Sequence, residues 1–244
     1  MRDTAEEVAG PAKGPNAWLQ VISAFVVVAA LAGFLWKQQK DHALEANAAS
    51  VPGGPITCST STPTGLPTLA RPGVKYVSSN QLCQALNRTD LATLLGTPGE
   101  KVTSYGGGDD SFTMVDGDIP APEMQVTLTT FSVQLSANFD HFAVKDMAHM
   151  LGGDARERTF LGRPAVLYSD RTLAFALFPG SGSGRTASGP GSPTRRLVVA
   201  RDPKDGGGSY DVSLWRQDSA PPDDATLLRV AETVLPTIPG WTTG

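Results

Sequence analysis

Cys58 and Cys83 are the two cysteines of the chain, 25 positions apart. An even pair in a domain outside the cytoplasm is expected to oxidise, and closing a loop of this size is worth about 3–4 kcal/mol on the chain-entropy view. Two reduced, buried thiols are the alternative. Two cysteines and three histidines are too few for a zinc module built on Cys-x-x-Cys pairs. His141 and His149 flank a helical stretch together with Asp140 and Asp146. Eight positions put two imidazoles about 80° apart around a helix and two turns distant, too far for one ion to bridge, so they read as solvated residues. Asp109, Asp110, Asp116 and Asp118 could gather oxygen ligands for calcium, but the twelve-residue loop with its closing Glu is missing, so they read as soluble loop residues.

The run Gly180-Ser181-Gly182-Ser183-Gly184 does not fit Gly-x-Ser-x-Gly, and no Gly-Lys-Ser/Thr follows it, so it reads as a loop. Arg163, Asp170 and Arg171 stand near an expected hairpin and could pair with one another on the surface, which has small energetic value. No constellation places a base beside a nucleophile. No catalytic, cofactor-binding or metal-ligating residue is therefore expected, and no cofactor; the one site is the Cys58–Cys83 pair. The balance of 20 basic and 24 acidic residues, net charge −4, leaves no electrostatic footprint for nucleic acid. A composition of 40% hydrophobic and 18% charged residues can build a core, while 26 Gly and 19 Pro require long irregular stretches.

The elements that would carry these residues can be read from periodicity. Ser79 or Asn80 can cap a short helix bearing Leu82, Cys83 and Leu86, and Thr89 a second bearing Leu91, Leu94 and Leu95. Gly106–Asp110 reads as a loop. The stretch 124–139 alternates as a strand, with a parity switch after Leu128 that one inserted residue would explain. Residues 142–151 read as a helix, 156–169 and 172–178 as strands turning at Asp170, and 197–201 and 210–216 as another pair. Pro179–Pro193 reads as a flexible loop, and Asp223 or Asp224 caps a last helix ended by Pro236. Hairpins dominate, so the expected class is α+β: an antiparallel sheet flanked by helices.

Residues 17–36 carry no charge and are bracketed by Trp18 and Trp36. As a helix they would span roughly 30 Å, the thickness of the hydrocarbon layer, with indoles at both interfaces. The small-x-small triplet Ala46-Asn47-Ala48 lies too far beyond the apolar run for a cleaved signal peptide. Cys58 is too distant for lipoprotein attachment. The expected organisation is a cytoplasmic tail, 1–16; a transmembrane signal-anchor, 17–36; a Pro/Gly/Ser/Thr-rich linker, 37–78; and an extracytoplasmic domain, 79–244, at the plasma membrane. Orientation rests on the short leading tail and the cysteine pair, because Arg2 and Lys13 before the span nearly cancel Lys37 and Lys40 after it.

The segments 161–172 (LGRPAVLYSDRT), 214–218 (LWRQD) and 222–232 (PDDATLLRVAE) resemble an uncharacterised family of actinobacterial single-pass membrane proteins with one extracytoplasmic domain of unknown function. The similarity runs from Gly14-Pro15-Asn16-Ala17-Trp18 to Gly240-Trp241. More distantly the order of elements is similar to cell-envelope lipoproteins with a PsbP-like α+β fold, which implies a fold and no function. The reading that follows is a non-enzymatic, membrane-tethered binding module. It would contact the lipid bilayer through residues 17–36 and an envelope protein or polymer through its domain. The rivals are an envelope hydrolase-type enzyme and a carrier of an apolar ligand.

Overall fold

The computed structural model describes residues 56–58, 75–114, 117–151, 153–178 and 185–241, all within the unit Ala49–Gly244. The expected membrane helix 17–36, most of the linker, and Gly180–Gly184 lie outside the described residues. Among the described residues no helix is long and apolar enough to cross a membrane.

The first helix, α1 (Ser79–Leu86), begins at a capping box. Ser78 Oγ accepts from Gln81 N–H at 3.3 Å and Gln81 Oε1 accepts from Ser78 N–H at 2.9 Å, satisfying two donors that a helix start leaves open. The cap thus falls one residue before the expected Ser79. One turn, α2 (Leu91–Leu94), follows. Its start is Asp90, not Thr89, and Gly96 closes it at φ 78°.

Seven strands then form one antiparallel sheet: β1 (Val102–Met114), β2 (Gly117–Leu128), β3 (Phe131–Asn138), β4 (Arg156–Phe160), β5 (Arg163–Phe178), β6 (Arg185–Ala200) and β7 (Ser209–Arg216). Their order is β1-β2-β3-β7-β6-β5-β4, two meanders joined where β3 pairs with β7. A single turn, α3 (Val144–Met147), links the meanders, and α4 (Asp224–Val234) closes the chain with a 3₁₀ turn, Leu235–Thr237, at Pro236. Asp223 caps α4 by accepting from Thr226 N–H at 2.8 Å.

Four expectations are corrected. Gly106–Asp110 is not a loop but the middle of β1, where Gly107 lies so close to β2 that a Cβ would stand 2.8 Å from Met124 Cα. The parity switch after Leu128 is not a bulge: Thr127 pairs with Ser132, so the chain turns between β2 and β3 and the second strand restarts the alternation. The strand after β4 does not turn at Asp170. The turn is Leu161–Gly162, where both residues take positive φ, and β5 continues as one strand through Asp170, with an irregularity in its pairing between Arg171 and Leu173. The Gly/Ser-rich stretch is strand from Arg185 onward, because β5 pairs with it over Arg185–Pro190 and again from Pro193, across an irregularity at Gly191 and Ser192. The helix expected over 142–151 also shortens to α3.

Both long hairpins outrun the sheet. β3 supports β2 over Glu123–Thr127, and β7 supports β6 over Thr194–Ala200. Beyond those limits β1–β2 and β5–β6 continue as two-stranded ribbons. The registers send them from opposite ends of the sheet, one past the start of β2 and the other past the start of β6.

Alternation divides the strands into two faces. Met124, Leu135, Val212, Leu197 and Leu167 form one cross-strand row. They are buried in the main core with Leu82 and Leu86 of α1 and Leu227, Val230 and Val234 of α4. The segment 56–58 joins this side: Ile56 is buried in the same core and its carbonyl accepts from Asn87 Nδ2 at 3.1 Å. On the opposite face α3 covers Val166, Tyr168, Val198 and Ala200 in a smaller core. Asp205, on the β6–β7 loop at φ 56°, holds α3 in place: its carboxylate accepts from Val144 N–H at 2.8 Å and Lys145 N–H at 3.0 Å.

Candidate functional site: the polar face of the sheet

The remainder of that second face is polar and consists of three cross-strand rows. Glu123, Ser136 and Asp211 form one, Gln125, Gln134, Ser213, Arg196 and Tyr168 the next, and Thr127, Ser132, Trp215, Thr194 and Asp170 the third. Arg196 organises the middle. Its guanidinium donates to Asp170 Oδ2 at 2.9 Å and to both carboxylate oxygens of Asp211, and it stands 5.6 Å from the Tyr168 ring centroid. Burial pulls the Arg196 proton affinity down, but Asp211 outweighs it and the group is held cationic. Burial pushes the Tyr168 phenol well above its ordinary range, so it stays protonated.

The rest of the face is linked by amide and hydroxyl donors. Gln125 Nε2 donates to Thr127 Oγ1 at 3.2 Å, Thr127 Oγ1 and Ser132 Oγ share a bond of 2.9 Å, and Gln217 Nε2 donates to Ser132 Oγ at 2.6 Å. Gln134 Nε2 donates to Glu123 Oε2 at 2.6 Å. Ser213 Oγ donates to Asp211 Oδ1 at 2.9 Å, and Asp211 already receives Arg196, so the hydroxyl faces no uncommitted base. The arrangement suits recognition by hydrogen bonds from a rigid backbone, and the carboxylate that accepts from Ser213 is committed to Arg196.

Cys58 and Cys83 form a disulfide, with Cα atoms 5.7 Å apart, and it ties the segment 56–58 to α1. His141 and His149 are both exposed, one before and one after α3. His149 lines a shallow depression with Ala148, Gly153, Ala155 and Glu157. Asp140 caps its own turn, accepting from Phe142 N–H at 3.0 Å. Asp109 accepts from Ser79 N–H at 2.6 Å, while Asp110, the next residue of β1, belongs to the other face. Asp116 lies outside the described residues. The described residues hold no group of three or more His, Cys, Asp or Glu side chains that could bind a metal ion.

The expected surface trio Arg163, Asp170 and Arg171 is corrected. Arg163 is fully buried, stacked 3.7 Å from the Trp241 ring centroid and donating to the Ala200 and Arg201 carbonyls at the end of β6. Burial lowers its proton affinity. Asp170 serves Arg196, and Arg171 donates to the Gly191 carbonyl at 3.1 Å across the ribbon. The trio separates because β5 does not turn at Asp170. Arg196, Asp211 and the glutamines escaped the sequence reading. Their only signal was the off-parity polar residue of each strand, which any solvent-facing strand shows.

No curated protein and no solved structure matches the chain. A family match does exist and covers more than half of it, from before the uncharged stretch 17–36 to the end of the first meander and α3. It stops short of the three segments on which the sequence resemblance was drawn. By that match, over residues 12–154, the chain belongs to DUF6215, a family of unknown function.

Proposed function

We propose that this protein is a membrane-anchored, extracytoplasmic binding module of the cell envelope, held to the bilayer by residues 17–36 and acting without catalysis. The observation that carries the binding role is the polar face. Five strands present amides, hydroxyls, two carboxylates paired to Arg196 and the half-buried Trp215 on backbone that cannot collapse, because the opposite face is packed under helices. The uncharged stretch between Trp18 and Trp36 supports the anchor, and the Cys58–Cys83 disulfide supports an oxidising compartment.

Two measurements test this. Alkaline phosphatase fused after Gly244 is active in cells if that end is exported, and inactive if the domain is cytoplasmic. For the binding role, the full chain in detergent is titrated with solubilised envelope polymers, and the reading predicts saturable binding that Gln134→Ala together with Gln217→Ala weakens. Binding that these changes leave untouched removes the polar face from the proposal.

A further inference from the structure

Away from α3, the polar face carries a chemistry that narrows what it can hold. Gln125 and Gln134 stand opposite one another on β2 and β3, and Gln217 follows β7. Their amide nitrogens donate to Thr127, Glu123 and Ser132 respectively, one bond from each. A side-chain amide has two N–H donors and a carbonyl acceptor. Among the described residues no hydrogen bond reaches the three carbonyl oxygens. Each amide therefore offers a donor beside an acceptor, the pattern that two neighbouring hydroxyl groups complete. Trp215, half-buried, is paired with Ser132 on one side and Thr194 on the other. An indole surface flanked by hydroxyls matches the apolar C–H face of a sugar ring and its polar rim.

Shape and charge select within that chemistry. Gly106 and Gly108 continue the rows onto β1 without side chains, and a Cβ at Gly106 would meet no atom within 4 Å, so an extended ligand can lie flat there. Neighbouring strands are about 4.8 Å apart, close to the length one pyranose adds to an extended chain. Successive sugars would then meet β2, β3 and β7 in turn. The three rows hold Glu123, Asp170 and Asp211 against one guanidinium, Arg196. That excess of negative charge repels a polyanion. A cationic partner finds Asp170 and Asp211 already paired with Arg196, and Glu123 engaged by Gln134. We propose, resting on the binding role given above to this face, that its ligand is an uncharged glycan in extended form, with Trp215 stacked on one sugar ring and Gln125 and Gln134 bonded to hydroxyl pairs of its neighbours.

Calorimetric titration of the full chain, in a detergent without sugar groups, tests this with cellohexaose and the N-acetylglucosamine hexamer as uncharged probes. Carboxymethylcellulose serves as the charged counterpart of the first. At least one uncharged probe should bind saturably with an affinity that salt barely changes, and carboxymethylcellulose should bind more weakly. Trp215→Ala should weaken the binding about tenfold or more, while Trp215→Phe, which keeps a ring, should retain most of it. Gln125→Ala should weaken it about threefold with thermal unfolding unchanged, which separates lost contact from lost fold. Preference for carboxymethylcellulose, an affinity that collapses with salt, or sugar binding indifferent to both Trp215→Ala and Gln125→Ala would each overturn the proposal. If neither uncharged probe binds while envelope polymers still bind in a way that Gln134→Ala with Gln217→Ala weakens, the glycan is overturned and the binding face stands. If polymer binding is also absent or ignores those changes, both fall.

Discussion

The helix-covered face and the polar face are made from the same strands, yet they are stabilised by different physics. Leu135, Leu197, Val212 and Leu214 on the first are fully buried against α1 and α4, and their contribution is non-directional and scales with area removed from water. On the second, Ser132, Thr194 and Ser213 are also buried, but each hydroxyl depends on a particular partner, Thr127 and Gln217 for Ser132, the Ser192 carbonyl for Thr194 and Asp211 for Ser213. Removing one partner there leaves the other desolvated and unsatisfied. The first face therefore sets how stable the fold is, and the second sets which surface it presents.

The largest effect should come from the packed face. Leu214→Ala is expected to cost about 2–5 kcal/mol by denaturant unfolding; a loss below about 1 kcal/mol would show that the two faces do not differ as described. Replacing both Cys58 and Cys83 by Ser should cost about 3 kcal/mol, because it releases Ile56 from the same core and frees the unfolded chain. Arg196→Met should cost about 1–3 kcal/mol, since Asp211, with a side chain 13% exposed, loses its guanidinium. Changing Asp211→Leu as well should recover part of that loss, which a purely area-based effect would not do.

Acid should find α4 next. The Thr226 N–H holds the Asp223 carboxyl below the ordinary carboxylate range. A depressed folded value gives stability that is present above the unfolded value near pH ~4 and is lost as pH falls through the folded one. Asp223→Asn keeps the capping oxygen and should flatten thermal stability below about pH 4; an unchanged acid limb would remove Asp223 from this role. The smallest effect belongs to the half-buried Gln125, which donates one hydrogen bond at the end of the polar network, so that Gln125→Ala should change stability by less than about 0.5 kcal/mol. If it changed by several kcal/mol, the polar face would be structural in the same sense as the packed one.

Much of the architecture was legible in the residues. The short helices at Leu82–Leu86 and Leu91–Leu94, the last helix with its Asp223 cap and the hairpin-rich α+β class follow from signals a few residues long, and the disulfide from the even cysteine count. What failed were glycine-rich stretches. Gly106–Gly108 and the start of β6 are poor strand formers in isolation and became strand because a neighbouring strand pairs with Gly106–Gly108 and with Arg185–Pro190. Arg163 failed in the opposite sense. An arginine beside a hairpin is ordinarily solvated, and only the meeting of Trp241 with the end of β6 made a buried place for it.

The residues alone determined the last helix with its Asp223 cap, the approximate place of the two short helices before the sheet and the alternation that divides each strand into an apolar and a polar side, because each depends on neighbours close in the chain; the cysteine pair was legible from its even count and not from closeness in the chain. Tertiary structure decided which strands stand side by side, and with them the Arg196–Asp170–Asp211 cluster, the Asp205 cap on α3 and the exposure of β1 as an edge. Those depend on partners 15 to 61 positions away, and strand order, which sets such meetings, leaves no trace in the spacing of side chains along any one strand.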